Sequence, residues 1–176
     1  MRFSQTALLG VQVIDLDAQE DARGSFARTF CEDEFAGAGL DFRPKQINLS
    51  HNPRAMTLRG MHYQAAPHGE PKVVQCIRGR IFDVAVDLRP GSPNHRSWFG
   101  LELAPELRRM LFIPEGFAHG FITLSADSDV LYLMGRPFEA SVQRGVRWDD
   151  PAFAIQWPAQ PCVMSPRDET FPDYKP

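Results

Sequence analysis

Val73-Val-Gln-Cys-Ile77, Arg78-Gly79-Arg80 and Ile81-Phe-Asp-Val-Ala-Val-Asp-Leu88 form the stretch whose reading decides the fold. Two apolar runs rich in β-branched residues flank a glycine, which predicts a pair of strands joined as a hairpin. In the second run Phe82, Val84, Val86 and Leu88 recur at period two and share one face. Working outward, the same pattern returns about every ten residues. Phe99, Leu101 and Leu103 alternate, Leu111 to Ile113 run into the turn Pro114-Glu-Gly116, Phe117 to Leu124 follow, and Val130 to Met134 form a further apolar run. Gln46, Asn48 and Ser50 alternate with Ile47 and Leu49, one face polar and the other apolar. Leu9, Val11 and Val13 predict a first strand. Thr29-Phe-Cys-Glu32 has the form of a capping box and predicts one short helix ending at Gly37 or Gly39. Regular turn signals without helical periodicity predict an all-β antiparallel jelly roll, a cupin-like sandwich or barrel with one or two short helices.

The chain has 176 residues, of which 43% are hydrophobic and 23% charged, values that exclude a disordered or fibrous class. One domain spanning residues 1–176 is expected at this length. The net charge of −3 and the absence of a basic run argue against a nucleic-acid partner. No 18-residue apolar stretch occurs, so no membrane association is expected. Three widely spaced cysteines, Cys31, Cys76 and Cys162, suit reduced thiols and a cytoplasmic location. Lysines are scarce, at positions 45, 72 and 175 only, so the mid-chain Lys72 is conspicuous as an ammonium where arginine is the common cation.

Polar residues on a face that the pattern predicts to be interior are the informative anomaly. His119 shares a face with Phe117 and Phe121. Arg59 and His62 flank Gly60, and a bulge at that glycine would turn both to the same side. Tyr132 lies in an otherwise apolar strand, where a buried hydroxyl needs a partner. A metal-dependent cupin would need three or four ligands. The five histidines contain no His-x-His pair, so no metal and no cofactor are expected.

Several blocks occur in one order along nearly the whole chain: Asp21-Ala-Arg-Gly-Ser-Phe26, Gln46-Ile-Asn-Leu-Ser50, Leu58-Arg-Gly-Met-His-Tyr-Gln64, Ile113-Pro-Glu-Gly-Phe-Ala-His-Gly-Phe121, Arg144-Gly-Val-Arg-Trp-Asp-Asp-Pro151 and Ser165-Pro-Arg-Asp168. Together they resemble the dTDP-4-dehydrorhamnose 3,5-epimerase family, cupin-type enzymes of deoxysugar biosynthesis. The resemblance implies a metal-independent isomerase acting on a nucleotide-diphospho-4-keto-6-deoxyhexose. It further implies a homodimer that exchanges N-terminal strands. By the same resemblance His62 is the base, Asp168 its orienting carboxylate, Tyr132 the opposed acid and Lys72 the cation beside the enolate oxygen. Arg59 and His119 are implied as diphosphate contacts, Gln46 and Asn48 as pocket lining, and Arg23 and Phe26 as residues supplied by the neighbouring subunit. Three positions depart from the family's pattern: Arg28 stands where a Glu is usual, Phe138 where a hydroxyl or indole is common, and Gln143 where a Glu commonly precedes Arg-Gly. All three fall where the family handles the nucleotide, so looser selection of the base is expected, with inversion at C3, C5 or both left open. A metal-dependent cupin or a non-catalytic sugar-nucleotide-binding module are the competing readings.

Overall fold

Strands whose side chains are apolar on both faces can be satisfied only between two further layers, and the fold follows from that requirement. A computed structural model describes residues 1–175. Its first sheet has the order β1 (Arg2–Gln5), β2 (Gln12–Asp15), β10 (Arg109–Ile113), β7 (Lys72–Arg78), β12 (Ser128–Met134) and β5 (Gln46–Asn52). The second has the order β13 (Gln143–Gly145), β6 (Leu58–Gln64), β11 (Phe117–Thr123), β8 (Ile81–Asp87) and β9 (Trp98–Leu103). A separate hairpin pairs β3 (Ala18–Asp21) with β4 (Gly24–Ala27). Every strand pair is antiparallel. The two short helices are α1 (Glu32–Gly37) and α2 (Pro166–Glu169). This is the all-β, cupin-like arrangement that the turn spacing predicted.

Between the sheets Val74, Cys76, Leu111, Ile113 and Val130 of the first meet Ile81, Ala85, Leu103, Phe117 and Phe121 of the second. The outer face of the first sheet is covered by α1 and its flanks, where Phe35, Leu40 and Phe42 pack on Val73, Met110, Phe112 and Leu133. Burying a ring such as Phe35 contributes roughly 1.5–3 kcal/mol. The outer face of the second is covered by Val146 and Phe153, with Trp157 packed beside them, on Met61, Val84, Val86 and Ala118. β11 is accordingly buried at every position, although only the alternate residues Phe117, His119, Phe121 and Thr123 face the interior.

Three expectations need correction. The predicted β7–β8 hairpin does not form, because β7 pairs with β10 and β12 while β8 pairs with β9 and β11. The Arg78-Gly79-Arg80 turn carries the chain from one sheet to the other. Gly79 has φ +74°, and a Cβ there would strike Ser125 Oγ at 2.8 Å. Each strand brings an interior residue, Cys76 or Ile81, to the same core from opposite sides. The first strand is Arg2–Gln5 rather than Leu9–Val13, since Leu9 and Gly10 form the turn before β2, with Gly10 at φ +96°. The helix α1 starts two residues later than the capping box proposed. Cys31 is its N-cap without a side-chain bond, and the Glu34 carboxylate instead takes the Met1 ammonium and Arg28. Among the described residues no helix is long and apolar enough to cross a membrane.

Candidate active site

At one end of the sandwich the interior positions change from apolar to polar. On β7 the inward series runs Cys76, Val74, Lys72, and on β12 it runs Val130, Tyr132, Met134. A cavity of about 590 Å³ opens there, within the range of small-molecule sites. The first sheet contributes Asn48, Lys72 and Tyr132, and the second contributes Arg59, His62 and His119.

The Gly60 bulge explains how Arg59 and His62 both reach it. Opposite β11 the register runs His119 to His62 and Phe121 to Arg59, so β6 carries one extra residue between them. Gly60 adopts φ +133°, and a Cβ on it would lie 2.6 Å from Gly120 Cα. Glycine on both strands therefore permits the close backbone approach that turns the two side chains inward.

The C-terminal segment completes the site. Leu58 N–H donates to Val163 C=O, which lays residues 162–165 along the start of β6. Ser165 caps α2 and Pro166 occupies its first position, so Asp168 is set over the bulge. Its carboxylate stands 2.7 Å from His62 Nε2 and accepts from the Gly60 N–H at 3.1 Å. Burial raises the Asp168 carboxyl, but the bonds from His62, Gly60 and Ser165 outweigh it and hold the group below the ordinary carboxylate range. Opposite on β11, His119 Nε2 is 2.7 Å from Asp83 on β8. The His119 ring meets the Tyr132 ring edge-on at a centroid distance of 6.0 Å. Burial pushes the Tyr132 phenol far above its ordinary value, Asp83 adds to the shift and Arg59 offsets part of it. The shift favours the neutral form of the Tyr132 hydroxyl.

Lys72 is buried and 3.0 Å from an equally buried Glu70. Arg59 Nε donates to the buried Asn52 side chain at 2.7 Å, and Arg167 donates to Gln143 at 2.7 Å. Among the described residues neither arginine has a carboxylate partner; each is hydrogen-bonded to a neutral amide, and Arg167 also lies over the Phe171 ring at 5.6 Å. Phe138 lines the same cavity, and Gln46 sits beside it by accepting from the Phe138 N–H at 2.6 Å.

Not every sequence candidate lies here. Gln46 braces the Phe138 loop rather than lining the cavity. Arg23 and Phe26 sit on the exposed β3–β4 hairpin, outside this chain's pocket, with Arg23 held by Asp21. Arg28 is also outside it, its guanidinium engaged by Glu34 on α1 at 2.6 Å, so it adds no charge to the pocket of its own chain. Glu70, Asn52 and Arg167 were missed. Arg167 stands inside the quoted Ser165–Asp168 block and Glu70 two residues before Lys72, but nothing in the residue types alone marks either as inward. Among the described residues no group of three or more His, Cys, Asp and Glu could hold a metal ion, so the donor set a metal-dependent cupin needs is not assembled.

The cupin-like barrel carries a His–Asp pair on one wall of its cavity and a tyrosine and a lysine on the other, and the chain's relatives are epimerases, of the isomerase class. A family model for dTDP-4-dehydrorhamnose 3,5-epimerase matches residues 5–175. The chain is 44% identical over 174 residues to the dTDP-4-dehydrorhamnose 3,5-epimerase of Methanothermobacter thermautotrophicus, covering 97% of this chain and 92% of that one. It is 38% identical over 170 residues to a dTDP-4-dehydrorhamnose 3-epimerase of Streptomyces niveus, covering 96% and 82%. The crystal structure of dTDP-4-dehydrorhamnose 3,5-epimerase from Bacillus anthracis, with TDP and PPi bound, superposes with a TM-score of 0.95 at 32% identity, covering 98% and 99%. The chain belongs to the dTDP-4-dehydrorhamnose 3,5-epimerase family.

Proposed function

We propose that this chain inverts C3 and C5 of dTDP-4-dehydro-6-deoxyglucose to give dTDP-4-dehydrorhamnose. The observation that carries the reading is the opposition of His62, on β6 of one sheet, to Tyr132 and Lys72 on the other. Protons on C3 and C5 flank the C4 ketone. His62 takes one, the C–H pair becomes the enolate double bond, and negative charge develops on the C4 oxygen beside Lys72. Asp168 orients the His62 ring and stabilises its cation. Tyr132 then delivers its hydroxyl proton to the same carbon from the other face, which inverts it, and the imidazolium and phenolate left behind reset by exchange with solvent. No net oxidation occurs.

The nucleotide end has its own support. Arg59 and Arg167, each hydrogen-bonded to a neutral amide and to no carboxylate, suit the oxygens of a diphosphate, and Phe138 offers a π face on which a base stacks. His119 serves as a further phosphate contact. The active species is a homodimer exchanging N-terminal strands. Supporting this, Ile47 is 64% and Leu49 62% exposed on the edge strand β5, and Phe26 is 78% exposed on the β3–β4 hairpin. Arg23 and Phe26 then reach the partner's nucleotide site, and the enzyme works in the cytoplasm. A monomer by sedimentation at micromolar concentration speaks against the dimer.

Inversion at C3 alone is the second reading, favoured by the name of the Streptomyces niveus relative. Incubation with the dTDP-, UDP-, CDP- and GDP-4-keto sugars in heavy water separates the alternatives. Deuterium at both carbons with dTDP supports the proposal. Deuterium at C3 only supports the second reading, and deuterium at neither removes both.

A further inference from the structure

We propose that Glu70 is a positioning residue for the reaction, fixing the Lys72 ammonium against the substrate's C4 oxygen. The proposal rests on Lys72 acting as the enolate's cation, as proposed above. The carboxylate stands 3.0 Å from Nζ, and both side chains are buried in the cavity wall, at 5% and 8% exposure. A lysine has three N–H donors on a flexible stem, and a bond from one of them to Glu70 leaves two for the oxygen on which charge develops.

The pair is a poor device for stability. Desolvating two charges costs several kcal/mol each, and apolar replacements of buried pairs are often neutral or stabilising. The backbone of Lys72 is already held by its neighbours, opposite Ile113 of β10 and Met134 of β12. The Glu70 segment is itself rigid. Pro71 restricts φ at its own position and favours extended backbone at Glu70. The Gly135 N–H donates to the Pro71 carbonyl at 2.8 Å. A Cβ at Gly135 would lie 2.7 Å from Pro71 Cγ, so the two segments are in close contact. A carboxylate on so fixed a stretch is an anchor for the one flexible cation near the reacting carbonyl. Neither Arg59 nor Arg167 has such a carboxylate, consistent with cations left free to grip an incoming diphosphate.

Three variants test this: Glu70→Gln, Lys72→Met and the two combined. Each is measured for dTDP affinity by calorimetry and for kcat and KM with dTDP-4-dehydro-6-deoxyglucose. dTDP affinity reports an intact site. Lys72→Met is expected to lose about 100-fold in kcat. Glu70→Gln is expected to lose roughly tenfold in kcat with KM little changed, because the ammonium is present but misplaced. The double variant is expected to be no slower than Lys72→Met. Parental kcat in Glu70→Gln beside a slow Lys72→Met overturns the Glu70 role alone, as do losses that multiply in the double variant. Parental kcat in Lys72→Met overturns the reading of Lys72 and the Glu70 role with it. If Glu70→Gln fails to bind dTDP, Glu70→Asp draws the charge back by one methylene. A kcat between the parent and Lys72→Met supports the proposal, and parental kcat overturns it.

Discussion

His62 and His119 stand opposite one another on neighbouring strands, and each has a carboxylate oxygen 2.7 Å from Nε2. The chemistry of the two pairs is the same, yet their surroundings differ. The His62 side chain is 31% exposed, and both oxygens of Asp168 are engaged, by His62 and by the Gly60 N–H. The His119 side chain is 6% exposed, and the second oxygen of Asp83 has no hydrogen-bond partner among the described residues. Asp168 arrives from a short C-terminal helix laid over a bulge, whereas Asp83 lies on the adjacent strand. The difference teaches that a His–Asp pair has no fixed role of its own. Both rings line the cavity, and the greater exposure of His62 is what its proposed role in proton abstraction requires. Asp83 instead holds His119 and adds to the upward shift that burial imposes on the Tyr132 phenol.

Breaking the open pair should have the largest effect. His62→Asn is expected to lower deuterium incorporation at C3 and C5 by about 10²–10⁴-fold, with dTDP affinity retained. Incorporation at the parental rate takes the base role from His62.

Next in size is the proposed acid, Tyr132, whose ring meets His119 of the closed pair. Tyr132→Phe removes one hydroxyl and little volume, and net inversion should fall by about 10²-fold. Wash-in of deuterium should continue, because His62 still abstracts and returns the proton on its own face. Full epimerisation by this variant means that another group supplies the second proton.

Asp168→Asn should cost less, roughly 10- to 100-fold in kcat, by loosening the His62 ring. Its stability effect has a definite pH dependence. The native carboxyl titrates below its unfolded value, so its contribution to stability is complete above the ordinary carboxylate range, about pH 4, and is lost as pH falls through the native value. The urea midpoints of parent and variant should therefore differ most above about pH 5 and converge at lower pH. A difference that stays constant from pH 7 downward contradicts the depressed carboxyl.

The smallest change in rate belongs to His119→Ala. Losing one hydrogen bond to a charged phosphate costs about 1.5–3 kcal/mol, or roughly 10- to 100-fold in dTDP affinity, with kcat changed far less. A variant that binds dTDP normally but turns over as slowly as His62→Asn would show that the two pairs share one task after all.

The strands and the site residues differ in how far they could be read from the chain alone. Alternating or continuous apolar runs located most strands of both sheets, though not β1 or β13, because such a run is a local consequence of burial. The turn at Arg78-Gly79-Arg80 was read as a turn for the same reason, since a glycine at positive φ is a local property. What no local pattern contains is the layer to which a strand belongs. β7 and β8 separate into different sheets because each is buried on both faces, by partners far away in sequence. The site divides in the same way. Gly60 between Arg59 and His62 implied a bulge, and the structure has it, because a bulge is a matter of two or three residues. That Glu70 faces Lys72, that Asn52 grips Arg59 and that Arg28 spends its charge on Glu34 were decided by tertiary packing. Burial and partner choice determine whether a charge is free, and both are properties of the assembled sandwich rather than of any stretch within it.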